Sequence, residues 1–300
     1  MKPCKIAVCF SGESRTWKHC VDAIKYFFSS NYHDIKFFGH TWDESYYLKA
    51  DVLNRNPKYK IKHDKNILHN ELVNAFNFSD LIVEDRSKFQ YFSNDFFEIS
   101  HLVDACHSFP AQNAANFKRP ATWDQMSYSI MMANELKTKY ELDNFMQFDI
   151  VVRARFDVVY YPEVTFESYV NRLGPIEPCT LFCNINYFPN EFGLVNMCDI
   201  FYFGGSSVMN IIDGFYRYWG DGTFWKMDQT SYFDPAMKVG GYNINLYKWA
   251  CQKNIWMKHF SCDKSLYTIW SEEQNHVWPM DYPKIKDTFL YQPHIKDVPP

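Results

Sequence analysis

The feature that most restricts the fold is an almost wholly apolar run at residues 4–10 (CKIAVCF). A strand with one face in water alternates apolar and polar residues, so an unbroken apolar run indicates a strand covered on both faces. Such strands are typical of parallel sheets with helices packed on either side. The polar segment 11–15 (SGESR) follows at once, as in a loop that leads from a strand into a helix. We therefore predict an α/β fold.

The next segments extend this opening into alternating helices and strands. Residues 17–28 carry apolar side chains at helical spacing, and residues 34–40 read as a second strand, which makes the first 40 residues a βαβ unit. The polar, partly basic stretch 43–70 is predicted to be a loop with little regular structure. The same patterns predict further strands at 81–84, 148–153 and 199–204, and helices at 70–77, 122–140, 239–254 and from Gly205 to about Tyr218.

The composition fits one folded domain and restricts its partners. Apolar residues make up 47% and charged residues 22% of the 300 residues, which excludes wholesale disorder. The 31 basic and 35 acidic residues give a net charge of −4, so non-specific nucleic-acid binding is not expected. Nine cysteines, several within apolar runs, predict reduced thiols and a cytoplasmic location. No apolar run approaches the ~20 residues of a membrane span, so we predict a single domain over residues 1–300 without a transmembrane segment.

Polar residues at the ends of the first two predicted strands are candidates for ligand binding. In open α/β sheets, ligands bind at the carboxyl ends of the strands. After the first strand, Ser11 offers a hydroxyl, Gly12 permits close approach of the backbone, and Arg15 can pair with a diphosphate. After the second strand, His40 and Trp42 can line a pocket wall. Both segments also have a structural interpretation, as a capped turn with a surface arginine and as buried core residues.

A third candidate is the charged segment that ends the predicted strand 148–153. Side chains alternate along an extended chain, which would place Arg153, Arg155 and Asp157 on one face. Three charges on one face are costly to bury unpaired. Either they neutralise one another as a structural cluster, or they face a cleft in which an anion and a cation complete the pairing. We take the second as the working hypothesis.

A fourth candidate is the predicted strand 199–204, which ends in a Gly/Ser turn at 204–207. Asp199 begins this strand and is a candidate catalytic carboxylate, although the start of a parallel strand lies at the edge away from a ligand. Asp228 and Glu272 are alternatives for a catalytic base, and the sequence does not choose among the three.

These motifs together resemble a set of glycosyltransferase-like proteins common in viruses, phages and surface-polysaccharide loci. Their pattern is a strand followed by SGxxRT, a second strand ending in HxWD, and later D-[ILV]-V-x-R-x-R-x-D. In this chain the matching segments are 6–18 (IAVCFSGESRTWK), 37–43 (FFGHTWD) and 149–160 (DIVVRARFDVVY). The segment 125–129 (QMSYS) in the predicted middle helix also resembles the pattern. The similarity spans about residues 4–215.

The resemblance implies a Rossmann-like fold of the GT-A type, with a mixed, mainly parallel sheet flanked by helices. It implies an enzyme that moves a sugar from a nucleotide-sugar donor to a glycan or glycoprotein acceptor. Residues 4–215 would form the nucleotide-sugar-binding core, and residues 216–300 the acceptor side. If the protein is viral, its cytoplasmic location would be the cytoplasm of the host cell.

The resemblance also implies roles for residues at matching positions. Asp157 would hold a divalent metal, Mn²⁺ or Mg²⁺, on the diphosphate, with Arg153 and Arg155 close to the phosphates. The residues expected to contact the nucleotide are Phe10, Ser11, Gly12, Arg15, His40 and Trp42.

One departure from the GT-A pattern opens an alternative. No Asp-x-Asp motif occurs in the chain, and this motif is what holds the metal in that pattern. Either arginines carry part of the stabilisation of the leaving group, or the protein is inactive. In the second case it would keep the fold as a carbohydrate-binding or virion-associated module.

Overall fold

The structure is a computed structural model that describes residues 3–48, 57–89, 121–160, 165–173, 176–187, 195–220, 246, 249–251, 253–259, 267–269 and 296–298. The strands are β1 Lys5–Ser11, β2 Asp34–Trp42, β3 Glu44–Leu48, β4 Pro57–Lys62, β5 Asp80–Glu84, β6 Ile150–Ala154, β7 Val158–Tyr160, β8 Thr180–Tyr187, β9 Val195–Gly204, β10 Trp256–His259, β11 Tyr267–Ile269 and β12 Lys296–Val298. The helices are α1 Trp17–Phe27, α2 Lys65–Phe76, α3 Ala121–Asp143, α4 Phe166–Leu173, α5 Ser206–Asp213 and α6 Phe215–Gly220.

The central sheet confirms the predicted α/β class. Its strand order is β12-β10-β8-β9-β6-β1-β2-β5. The pairs β6–β1, β1–β2, β2–β5 and β10–β8 are parallel, whereas β9 runs antiparallel to both of its neighbours, and β12 runs antiparallel to β10. The sheet is therefore mixed and mainly parallel, as expected.

Both faces of the sheet are covered, which explains the unbroken apolar run in β1. On one face, Ile6, Val8 and Phe10 belong to the core cluster that includes the buried residues of α1 and α2. On the other face, Ala7 and Cys9 belong to a second cluster with buried residues of α3 and α5. Because successive side chains point to opposite faces, a strand between two helical layers must be apolar at every position.

The first core is built largely from phenylalanine. The ring of Phe10 is fully buried and lies 5.4–6.1 Å, centroid to centroid, from five other rings. Most of these pairs are tilted or edge-to-face, the arrangements that the charge distribution of aromatic rings favours. Part of the high aromatic content of the sequence thus forms the core beneath the carboxyl ends of the strands.

The prediction of a loop over residues 43–70 is wrong. Strands β3 and β4 form an antiparallel pair in this region, and α2 begins at Lys65 rather than at residue 70. The carboxylate of Asp64 accepts hydrogen bonds from the backbone N–H groups of Asn66 and Ile67, which caps α2. The basic stretch at 58–65 is therefore partly a strand, and Lys62 at its end pairs with Asp43 at 3.4 Å.

Other elements differ in extent or were not predicted. The predicted helix after Gly205 is two helices, α5 and α6, that are separated at Gly214. Strand β9 begins at Val195, so Asp199 lies inside it rather than at its start. Strands β7 and β8 and helix α4 carried no sequence prediction. In the part of the chain that the structure describes, no helix is both long enough and apolar enough to cross a membrane.

Candidate functional site

The carboxyl ends of four strands meet at one edge of the sheet. Strands β6, β1, β2 and β5 are consecutive neighbours in parallel pairs, so the loops that follow them leave the sheet on the same side. These loops contain Gly12, Arg15, Arg155 and Asp157, whereas the other predicted site residues lie in strands: Phe10, Ser11, His40, Trp42, Arg153 and Asp199. The first half of α3 packs behind them and adds polar side chains.

Five charged side chains from three of these loops form a continuous series of ion pairs, called here the arginine cluster: Glu13, Arg15, Arg86, Arg155 and Asp157. Asp157 accepts two hydrogen bonds from Arg155, at 2.8 Å from Nε to Oδ1 and 2.7 Å from Nη2 to Oδ2. Its Oδ2 also lies 3.2 Å from Nε of Arg15. Arg15 lies 3.5 Å from Glu13, and Glu13 accepts a hydrogen bond from Arg86. These five side chains comprise three guanidinium groups and two carboxylates, and the carboxylates of Asp43, Glu44 and Glu84 lie at the neighbouring strand ends.

The cluster is buried at its centre and open to solvent along one side. The Asp157 side chain is 1% exposed, whereas those of Arg15, Arg155 and Glu13 are 20%, 18% and 15% exposed. Burial alone would raise the pKa of Asp157, but the guanidinium groups of Arg155 and Arg15 outweigh it and hold this pKa below its usual value. Asp157 is therefore an anion at neutral pH, and the guanidinium groups beside it are within reach of a dissolved anion.

Arg86 fixes one end of the cluster. It is a buried side chain that follows β5, and besides Glu13 it donates hydrogen bonds to the Gln125 side chain of α3 and to the carbonyl oxygen of Glu44. Its backbone N–H donates to Asp43 at 3.0 Å. A charge buried to this degree is stable only when it is paired and hydrogen-bonded. Arg86 is therefore an anchor that holds Glu13, and through it the loop after β1.

The loop after β1 turns at Gly12 in a conformation that other residues rarely adopt. Gly12 has a φ of +113°, outside the region that residues with a Cβ occupy comfortably. Its N–H donates to the hydroxyl of Ser129 at 2.9 Å, and its carbonyl oxygen accepts from Thr41 at 2.8 Å. Both backbone polar groups of Gly12 are thus hydrogen-bonded to neighbouring elements. These bonds set the direction in which Glu13 and Arg15 leave the sheet.

Replacing Gly12 with alanine is expected to lower the free energy of unfolding by about 1–3 kcal/mol, because the backbone strain outweighs any gain in packing. A methyl group at this position would meet no atom within 4 Å, so the loss would come from the backbone conformation alone. Urea denaturation of both proteins would measure it. Gly205→Ala is the matched control, since Gly205 has a φ of −64° and the nearest atom to an added Cβ lies at 3.8 Å. Equal effects of the two substitutions would contradict this explanation.

His40 and Trp42 support the loop from beneath. Both side chains are almost fully buried. Nδ1 of His40 lies 2.8 Å from the Ser129 hydroxyl, the same group that holds Gly12, and burial lowers the pKa of His40 even though Glu84 lies nearby. The Trp42 ring stacks on Tyr128 of α3 at an interplanar angle of 29°. Their described contacts are therefore with the protein, and direct contact with a nucleotide remains a prediction.

Two further predicted contacts have buried side chains. The ring of Phe10 lies in the aromatic core and is 0% exposed, so its ring faces the protein, and a nucleotide contact by this residue stays a prediction. Ser11 is likewise 0% exposed, at the last position of β1. Gly12, Glu13 and Arg15 are the members of this loop that lie partly at the surface.

Alternation predicted one shared face for Arg153, Arg155 and Asp157, and the structure differs: Arg153 lies within β6, whereas Arg155 and Asp157 follow it. Strand β6 ends at Ala154 and the chain then turns, so the two-residue period no longer applies to Arg155 and Asp157. Arg153 is 1% exposed and lies on the face of the sheet that packs against α3 and α5. The pKa of Asp213 is raised to about 7 by burial, and the positive charge of Arg153 acts in the opposite direction, toward a lower pKa. Arg153 thus belongs to a different electrostatic environment from the arginine cluster.

Asp199 lies at the cluster's edge of the sheet because β9 is antiparallel to β6. Tyr202 of β9 is paired with Arg153 of β6. Asp199 precedes Tyr202 by three positions on a strand of opposite direction, which places its backbone beyond the carboxyl end of β6. The start of a parallel strand would lie at the opposite edge of the sheet, away from a ligand, but β9 is antiparallel to β6, so Asp199 lies at the edge where β6 ends. The side chain of Asp199 lies outside the described residues, as do Asp228 and Glu272 entirely.

A divalent metal at Asp157 does not fit the residues present. Both carboxylate oxygens are paired with guanidinium groups, and a bound cation would lie beside two positive charges. Mn²⁺ and Mg²⁺ need several oxygen or nitrogen ligands. Over the residues that can be described, no group of three or more His, Cys, Asp and Glu side chains is arranged to hold one.

Several residues that build this site were not predicted from the sequence. Glu13 stands between two predicted contacts, and Arg86 lies two residues after the end of a predicted strand, so the strand-end rule used elsewhere would have found it. Gln125 and Ser129 belong to a segment that was noted only as part of a resemblance. Their role depends on how α3 docks against the strand ends, which no local pattern encodes.

Comparisons with known proteins give structural matches only. No protein-family model and no curated protein matches this chain. The structure of mouse xyloside xylosyltransferase 1 in its apo form has a TM-score of 0.38 and 6% sequence identity, and the match covers 85% of this chain and 82% of that one. The galactosyltransferase LgtC in complex with donor and acceptor sugar analogues has a TM-score of 0.36 and 11% identity, over 82% of this chain and 69% of that one. Similarity at this level decides neither family nor activity, so the function has to be argued from the site.

Proposed function

We propose that this chain is a nucleotide-sugar-dependent glycosyltransferase of the GT-A type. The observation that carries the proposal is the arginine cluster, which places two partly exposed guanidinium groups, those of Arg15 and Arg155, where parallel strands end. Planar guanidinium groups match the oxygens of a diphosphate and bind them bidentately. The sequence resemblance, which centres on the same loops, supports a nucleotide sugar rather than a free nucleotide as the ligand.

The reaction requires the cluster to stabilise a departing diphosphate. The bond between the anomeric carbon of the sugar and the phosphate oxygen breaks, and its electron pair stays on the nucleoside diphosphate. The acceptor hydroxyl oxygen forms the new bond to that carbon and loses its proton to a base. Arg15 and Arg155 would face the charge that develops on the diphosphate, where fixed donors are most effective. Asp199, at the same edge, is the candidate base.

The acceptor in this proposal is a glycan or glycoconjugate, and residues 216–300 would provide the acceptor side. Most of that segment lies outside the described residues. The cytoplasmic location belongs to the same proposal and depends on the reduced cysteines. No role for nucleic acid is proposed, because the net charge is −4.

The proposal is tested by nucleotide binding. A thermal-shift panel of UDP-, GDP- and CDP-sugars, followed by calorimetry, should identify one nucleotide that binds. Arg15→Ala and Arg155→Ala should each weaken this binding by about 10- to 100-fold, the cost of one charge-assisted hydrogen-bonded contact. Arg217→Ala is the matched control, because Arg217 is an exposed arginine of α6 that pairs with Glu135. Absence of binding by every nucleotide, or full affinity in the Arg15 variant, would contradict the proposal.

A second candidate function is a sugar-nucleotide or carbohydrate-binding module without turnover. It is favoured by the missing Asp-x-Asp motif and by the pairing of both cluster carboxylates with guanidinium groups. Release of free nucleoside diphosphate in the presence of acceptor glycans distinguishes the two. A protein that binds the nucleotide sugar but releases none with any acceptor is the module, whereas release that is lost in Asp199→Asn identifies the transferase.

A further inference from the structure

The pairing of Asp157 has a consequence for how the leaving group is stabilised. In the pattern that the sequence resembles, a carboxylate at this position acts on the diphosphate through a divalent metal. Here the same carboxylate accepts two hydrogen bonds from Arg155 and lies 3.2 Å from Arg15, and it is 1% exposed. Its position is therefore that of a group that orients guanidinium groups, with both of its oxygens engaged.

The rest of the cluster reinforces this arrangement. Glu13, the nearest other carboxylate of the cluster, lies between Arg15 and Arg86. A dication inserted here would have to displace guanidinium groups that remain charged at any pH at which the protein is folded. It would also add two positive charges to a cluster that already has three cations and two anions. The described geometry thus disfavours a metal and favours a direct contact between arginine and phosphate.

We propose that this site binds and stabilises the diphosphate of its donor without a divalent metal, with Arg15 and Arg155 in the place of the cation. The inference rests on the proposed function and goes beyond it, because it names the groups that carry the charge of the leaving group. Asp157 is then a positioning residue that acts through the two arginines. Glu13 and Arg86 hold Arg15 at the other end of the series.

Guanidinium groups are suited to this task. Each presents a planar set of N–H donors that can contact two phosphate oxygens at once, and it keeps its charge without a pH-dependent ligand set. Arg15 and Arg155 reach the site from two different strands, β1 and β6, which are neighbours in the sheet. Both side chains meet at Asp157, so one diphosphate can contact the two of them.

The test compares nucleotide affinity with and without metal. The full-length protein is treated with EDTA and titrated by calorimetry with the nucleoside diphosphates UDP, GDP and CDP, first in EDTA and then with Mn²⁺ or Mg²⁺ in excess. The expected result is one nucleotide whose dissociation constants in the two conditions agree within about threefold. A dissociation constant that rises more than about tenfold in EDTA and recovers with Mn²⁺ would overturn the inference while leaving the proposed function intact. No binding in either condition would overturn both.

Two variants identify which group carries the charge. Arg155→Lys keeps a positive charge but loses the planar pair of donors, and it should weaken binding by the same factor in EDTA and in Mn²⁺. Asp157→Asn should likewise have one effect in both conditions, because it acts through arginines. A metal ligand would behave differently: its substitution would reduce affinity only where metal is present, and that result would contradict the inference. Arg217→Ala again serves as the control that should leave both constants unchanged.

Discussion

Replacing Lys137 with methionine is expected to lower the free energy of unfolding by about 3–5 kcal/mol, the cost of leaving a buried charge without its partner. Lys137 of α3 is 0% exposed, and its ammonium group donates hydrogen bonds to Glu141 at 3.0 Å and to Ser206 and Asn210 at 2.7 Å each. Methionine preserves the length of the side chain but none of these bonds, so the carboxylate of Glu141 would stay buried without its ammonium partner.

The neighbouring salt bridge on the same helix provides the control for Lys137. Lys139 pairs with Asp143 at 2.8 Å with the same four-residue spacing, but both side chains are largely exposed. Lys139→Met should leave urea denaturation curves almost unchanged, since solvent screens such a pair. The double variant Lys137→Met/Glu141→Gln should recover part of the lost stability because the unpaired charge is gone. A Lys137 variant as stable as the wild type would show that the buried network does not hold α3 against α5.

Replacing Asp157 with asparagine is the second substitution with a large expected effect. It removes the anion that lies between Arg15 and Arg155, and the free energy of unfolding should fall by about 3 kcal/mol at pH 7. The exposed Asp149→Asn is the control. Asp149 accepts a hydrogen bond from the backbone N–H of Lys5 at 2.8 Å, a bond that the amide oxygen of asparagine can also accept.

The pH dependence of this effect follows from the direction of the pKa shift. The folded-state pKa of Asp157 is below its usual value. The contribution of Asp157 to the free energy of unfolding is therefore complete above the unfolded-state pKa of about 3.9. This contribution is lost as the pH falls from about 3.9 through the folded-state pKa. The stability difference between wild type and Asp157→Asn should thus be constant from pH 8 to 5 and shrink below about pH 4. A difference that instead changes between pH 8 and 5 would show that Asp157 is not a low-pKa anion.

Sequence reasoning succeeded where local pattern decides structure. The unbroken apolar run of β1 required two covering layers, and the strand-end rule brought Arg15 and Asp157 to one place, where they are ion-paired. It failed where pairing partners are distant in the chain. Strands β3 and β4 pair although eight residues separate them in the sequence, and β6 ends at Ala154, which separates Arg153 from Arg155 and Asp157.

For helix α3, the sequence predicted the element but not its contacts. Its existence was predicted from its periodicity, and the observed bounds are close to the predicted 122–140. Which of its polar residues touch the strand ends was not predictable, because that depends on the angle at which the helix crosses the sheet. Ser129 and Gln125 became visible as parts of the site only through their contacts with Gly12 and Arg86.

The two carboxylates of the arginine cluster also weaken its attraction for any anion that enters it. Both Glu13 and Asp157 contact Nε of Arg15, so a diphosphate on this guanidinium would share it with two anions already in place. Under the proposed function, this would lower the affinity for the donor and for the released nucleoside diphosphate alike. Such a site would favour rapid exchange of its nucleotide over long retention.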